Sequence, residues 1–234
     1  MSKTTPENSP HLFGNMAKSE EIAVHKEALA KANEGLAKLG ENGDELERAK
    51  LILTKIIALL GLEQKNEVWS DARAIFDTFI NYHCWEEAAE TCSVLYQSEQ
   101  TESLAALVQG IWLSVSFPVD PEITLILLDQ LIEAMPQDAD GAAVAVATAH
   151  YVVGTRANDE KFEDLNFLTR NLMARIAKSH SNVETQEQLD NWIGRLELNK
   201  PEVFLPRLGM ILNTVLDERD WWIDRDALRA TFPQ

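Results

Sequence analysis

Cysteine is nearly missing from this chain of 234 residues, which holds only Cys84 and Cys92. Eight steps at 1.5 Å rise would put their Cα atoms about 12 Å apart on one helix, beyond disulfide reach. Two reduced thiols packed as small hydrophobes are therefore expected, in a cytoplasmic setting. Glycine is sparse as well: ten are scattered along the chain, and neither GxGxxG nor GxxxxGK[ST] occurs. Without a glycine-rich cradle, nucleotide hydrolysis is not expected. Long apolar runs are lacking. Ile123–Leu128 and Ala142–Ala149, the latter continuing to Val153, fall short of the ~20 residues a membrane helix needs. Met1–Phe13 has no continuous apolar core of the kind a secretory signal requires. The largest shortage is of positive charge, with 21 Lys+Arg against 38 Asp+Glu, a net charge of −17 and a pI near 4.6. Such a surface is repelled by phosphate backbones and anionic headgroups, so neither a nucleic-acid nor a membrane partner is expected.

Catalytic and metal signatures are equally scarce. HExxH and paired CxxC are absent, and the adjacent His83 and Cys84 would point about 100° apart on a helix. A carboxylate-bridged metal bundle needs Glu-x-x-His on each of two helices. The residues three before His11, His25, His83, His150 and His180 are Asn8, Ile22, Ile80, Ala147 and Ala177, so that motif is absent too. No GxSxG elbow is present. No cofactor or metal is expected, and the chain reads as a non-enzyme. The rival is an all-α enzyme or small-ligand protein whose pocket is assembled from distant residues around Tyr82, His83 or His150.

What the chain does have is helical periodicity. With 45% hydrophobic and 25% charged residues it is globular. Residues 1–15 carry two prolines with Ser, Thr and Asn and read as a disordered tail. From Ala17 onward Ile22, His25, Leu29, Ala32, Leu36 and Leu39 recur at spacings of three and four, one stripe of a helix. Gly40 and Gly43 end it, Asp44 with Glu47 has the form of a capping box, and a second helix runs to Gly61. Residues 16–64 thus form an antiparallel hairpin, followed by a helical domain over 65–234. Its helices are expected at roughly 67–81, 85–99, 101–117, 121–135, 141–156, 160–180, 185–198, 201–217 and 224–231. Asp120-Pro121 marks one start, Thr185 with Gln188 a capping box, and Phe117-Pro118 and Met135-Pro136 mark ends. The valines of Val144–Val153 would also suit a strand, but no neighbouring segment alternates to pair with it.

Helix pairs opening near 67, 101 and 141 fall at the spacing of helical repeats. Ala72, Ile75, Phe76, Phe79, Trp85, Ala88 and Leu95 lie in the register of a tetratricopeptide-type unit over about residues 68–98. This unit resembles that family, with Ala88 as the small residue that lets the helices approach. The match covers one unit: Glu122 and Asn158 replace the small residue in the next pairs, and His83 stands where the family has glycine. The resemblance implies a short α-solenoid of stacked helix hairpins, with a closed helical bundle as the alternative. It also implies that Ser70, Arg73, Asp77 and Ile80 sit on a concave, peptide-facing side.

Charge is unevenly placed. Residues 65–160 hold only Lys65, Arg73 and Arg156 against 16 acids, a net of −13, while each flanking segment nets −2. Such a field attracts a basic partner. Trp221-Trp222 near the C-terminus is a second recognition candidate, since tryptophans concentrate in binding hot spots; a C-terminal helix docked by both rings is the competing account. The sequence therefore reads as a non-catalytic helical-repeat adaptor or assembly chaperone that binds a protein or peptide, basic in character, through an acidic surface. The remaining alternative is an oligomeric structural subunit built on the N-terminal hairpin, and the oligomeric state is open.

Overall fold

The computed structural model describes residues 10–136, 138–217 and 220–230, with side chains from Glu20 onward. Among the described residues every regular element is helical, with no strand. The order is α1 (Pro10–Leu39), α2 (Glu45–Gly61), a 3-10 turn (Lys65–Glu67), α3 (Trp69–Asn81), α4 (Trp85–Gln97), α5 (Ser103–Ser116) and α6 (Pro121–Ala134). There follow α7 (Asp140–Arg156), α8 (Asp159–Ser181), α9 (Gln186–Arg195), α10 (Pro201–Val215) and the short α11 (Arg225–Arg229). None of these helices is long and apolar enough to cross a membrane. Of the segment expected to be a tail, residues 1–9 lie outside the described residues and Pro10–Asn15 belong to α1. Proline is tolerated in the first turn, where its missing N–H would have no partner anyway.

Local chemistry sets the boundaries. Asp120 accepts the Glu122 N–H at 2.8 Å ahead of Pro121, and Thr185 and Gln188 close a complete capping box at the start of α9. At α2 only half of the expected box forms. Asp44 accepts the Glu47 N–H at 2.8 Å, while Arg48, from the next position, reaches back to the carbonyls of Gly40 and Glu41 that end α1. Gly61 also differs from its expected role as a helix stop. It is the last helical residue, and the left-handed turn falls at Glu63 (φ 62°). A Cβ on Gly61 would lie 2.3 Å from the His25 ring, so its bareness admits α1 against the end of α2.

Burial follows the periodicity. The α1 stripe is half-buried, with Ala32 fully covered against α2. α7 is buried almost all round, from Ala142 to Ala149 and again at Val152 and Val153. A helix with apolar residues on every face belongs in the middle of the structure, and α6, α8 and α10 surround α7. Each helix from α1 to α8 packs on the next. α2, α4 and α6 also touch in turn, forming a row with α3, α5 and α7 alternating behind it. α10 then returns across α5 and α7, so the C-terminal part lies along the odd-numbered helices.

Candidate functional site

The odd-numbered face carries the residues singled out on α3. Burial of Ala72, Ile75, Phe76 and Phe79 turns Ser70 and Asp77 outward and leaves Arg73 and Ile80 half-buried at the edge. Ile80 packs against the core. Arg73 binds Asp77 at 2.8 Å, and its guanidinium stands 4.4 Å from the centre of the Trp222 ring and 5.6 Å from that of Phe76. Trp222 in turn meets Phe76 and Trp69 edge-on at 5.6 and 6.4 Å. Arg73, Asp77 and Trp222, chosen separately from opposite ends of the sequence, therefore form one cluster. Ring pairs and cation–π contacts of this kind contribute about 0.5–2 kcal/mol each.

Beside this cluster lies Gln109 of α5, fully buried in an apolar helix. Its Nε2 donates to the Asp220 carbonyl at 3.3 Å, and its Oε1 accepts the Trp222 N–H at 3.1 Å. One side-chain amide thus holds the main chain at two points, the Asp220 carbonyl and the Trp222 N–H, across the bend that carries the tryptophan pair. Trp221 turns the other way, onto Trp112 at 6.3 Å, with the Arg225 guanidinium 3.9 Å from its ring centre. Its indole N–H is buried without an acceptor among the described residues. Such an orphan donor costs about 1–3 kcal/mol. Asp224 caps α11 through the N–H groups of Asp226 and Ala227. Both tryptophans thus dock on the helices, and the face expected to receive a peptide holds the chain's own segment 220–229. Gln109 is the residue that sequence reasoning missed. Its signal was a lone amide inside the apolar run Leu104–Leu113, where an unpaired polar group would be costly.

The other candidates are dispersed. Tyr82 donates its hydroxyl to Glu45 at 3.3 Å, and His83 stacks on Trp85 at 5.0 Å, which itself stacks on Phe117 at 4.0 Å. His83 adopts the left-handed backbone, with φ 57°. His150 lies elsewhere, on a cavity between α7, α8 and α9. The thiols of Cys84 and Cys92 are both pushed up by burial, away from reactive thiolate. Among the described residues no cluster of His, Cys, Asp and Glu is arranged to hold a metal ion.

The acids of residues 65–160 are partly spoken for within the molecule. Glu87 pairs with Lys50, Asp71 with Lys55, Asp120 and Glu122 with Lys161, Asp129 with Arg175, and Asp140 with His180 and Arg207. All of these partners come from the two flanking segments. The groups gathered on the α3–α5 face are rings, the Arg73 guanidinium with its Asp77 carboxylate, and the Gln109 amide. No protein-family model, curated protein or solved structure matches the chain.

Proposed function

We propose that the chain is a non-catalytic array of stacked helix hairpins, a short α-solenoid acting as an adaptor or assembly chaperone, which holds a short segment of a protein partner on the α3–α5 face. The observation that carries this reading is the Gln109 clamp. Bonding to a main-chain carbonyl and a main-chain N–H two residues apart reads backbone whatever its side chains, while Trp69, Phe76 and Trp112 supply ring-lined seats for an aromatic pair. The unanswered indole N–H of Trp221 marks the resident segment as an imperfect occupant.

Electrostatics favour exchange for a basic partner. Residues 220–230 hold three acids and two arginines, so a segment of net −1 sits on a body that is itself strongly acidic. Rings and backbone bonds hold it there, against its charge. A competing segment with the same aromatic pair among lysines would keep those contacts and gain from the field.

The test uses a labelled peptide with Trp-Trp flanked by lysines, the full chain, and the double variant Trp221→Ala, Trp222→Ala, which weakens the resident segment. Fluorescence anisotropy should show binding to the variant at least about tenfold tighter than to the unaltered chain, a difference of ~1.4 kcal/mol. Equal affinity for both, or none for the variant, rejects the α3–α5 face as the docking site.

A further inference from the structure

A separate cavity of about 600 Å³ opens between α8 and α9 against the end of α7. His150 reaches it from α7, Glu163, Asn166 and Arg170 line it from α8, and Leu189 and Ile193 form an apolar wall from α9. Its size lies within the ~300–1,000 Å³ usual for small-ligand sites, and its lining mixes hydrocarbon with a few convergent polar groups.

The hydrogen bonds define what His150 offers. Thr169 is fully buried, and its hydroxyl donates to the Asn166 carbonyl at 3.1 Å. With its one proton used there, Thr169 Oγ1 accepts from His150 Nδ1, 3.0 Å away. The ring proton therefore sits on Nδ1. Burial first, and the Arg170 charge second, hold this imidazole below its usual pKa, so at neutral pH the ring is uncharged. Nε2 is left as a lone-pair acceptor. Arg170, close enough to His150 to act on it, has no carboxylate within ion-pair distance among the described residues. Arg170 and His150 thus line the same space beside hydrocarbon, with the Glu163 carboxylate a turn or two away on α8.

We infer that this cavity binds a small amphipathic carboxylate with a hydrogen-bond donor on the adjacent carbon, the chemistry of a free apolar α-amino or α-hydroxy acid. The carboxylate meets Arg170, where a guanidinium can grip both oxygens. The neighbouring N–H or O–H donates to His150 Nε2. The hydrocarbon chain lies against Leu189 and Ile193. An anion between Arg170 and the ring also neutralises the charge beside the imidazole. This inference does not depend on the α3–α5 face.

Isothermal titration of the full chain at neutral pH with leucine, leucic acid, isocaproate and leucinamide separates the elements of the site. Leucine and leucic acid should bind, whereas isocaproate, which lacks the donor, and leucinamide, which lacks the carboxylate, should each bind about tenfold more weakly or worse. Arg170 is exposed, so Arg170→Gln should leave the circular dichroism unchanged and weaken leucine by at least about tenfold. His150→Phe should reduce binding of leucine to the level of isocaproate. No heat from any probe at about 10 mM, which corresponds to roughly 3 kcal/mol of affinity, overturns the inference. So does leucinamide binding as tightly as leucine.

Discussion

Gly110 stands where α4 and α5 come closest. A Cβ at that position would lie 2.6 Å from Cys92 Cβ, 3.1 Å from Leu127 Cδ2 and 3.4 Å from the Ala89 carbonyl. The first of these atoms is fixed to its backbone, so relief requires the two helices to part. Alanine gains about 1 kcal/mol of helix propensity over glycine, but forced separation of a packed core costs about 1–3 kcal/mol or more. Gly110→Ala should therefore destabilise the chain by up to about 2 kcal/mol net. Gly154, within α7, has nothing within 4 Å of such a Cβ. There only the propensity gain operates, and Gly154→Ala should stabilise by about 0.5–1 kcal/mol. Urea melts of the two variants should move in opposite directions; a shared sign would refute the claimed close approach. Neither glycine is distinguishable in the sequence, since each sits inside an unbroken helical pattern, and only the neighbouring helix separates them.

At the scale of elements, α5 ends in an arrangement that depends on a residue far along the chain. Arg156, the last residue of α7, donates Nη1 to the carbonyls of Ser114 and Phe117 at 2.6 and 2.8 Å, and Nη2 to that of Val115 at 2.7 Å. The guanidinium meets three carbonyls at the end of α5, two of them shared with the Val119 N–H and the Thr124 hydroxyl, and complements the negative end of the helix. Charged hydrogen bonds of this type are worth about 1.5–3 kcal/mol, and three of them are lost together. Arg156→Ala should destabilise by about 3 kcal/mol, and Arg156→Lys should recover only part of it, because an ammonium cannot fork across three acceptors. Chemical denaturation of the pair checks this; equal stability of the Lys variant and the unaltered chain would show that charge alone suffices. The contrast between what was and was not legible is plain here. Asp120-Pro121 and Thr185 with Gln188 start helices through bonds to their own next residues, so these boundaries can be read locally. α7 was separable from a strand only because no pairing partner flanked it. That Arg156 caps α5, or that Arg73 meets Trp222, depends on how distant helices stack, and no local pattern encodes it. The candidate residues on α3 and at Trp221-Trp222 were readable one by one, while their convergence and the Gln109 clamp between them were not.

For the whole molecule, the acidic middle and the flanking cations amount to an electrostatic tie between segments, and two opposing effects of salt can be weighed. Burial works against the charge of Asp120, but the Glu122 N–H and the Lys161 ammonium outweigh it and hold the carboxyl below its usual range. Its contribution is therefore present above the unfolded pKa of ~3.9 and is lost as pH falls through the lower folded value. Pairs such as Lys161 with Asp120 at 2.9 Å and Lys50 with Glu87 at 2.9 Å are short, partly exposed and worth about 0–1 kcal/mol each. The repulsion among the remaining charges of a −17 chain acts over much longer distances. Raising NaCl from about 20 mM to about 500 mM shortens the screening length from roughly 20 Å to roughly 4 Å. That removes most of the long-range repulsion and leaves contacts near 3 Å largely intact. The urea midpoint should accordingly rise with salt, while affinity of the vacated α3–α5 face for the lysine-flanked peptide falls over the same series, because the same field that strains the fold attracts the partner. Opposite slopes in one set of buffers distinguish an acidic surface that recruits a partner from one that serves only the fold. If the midpoint falls instead, the pairs between segments outweigh the repulsion; if binding ignores salt, rings and backbone alone hold the peptide.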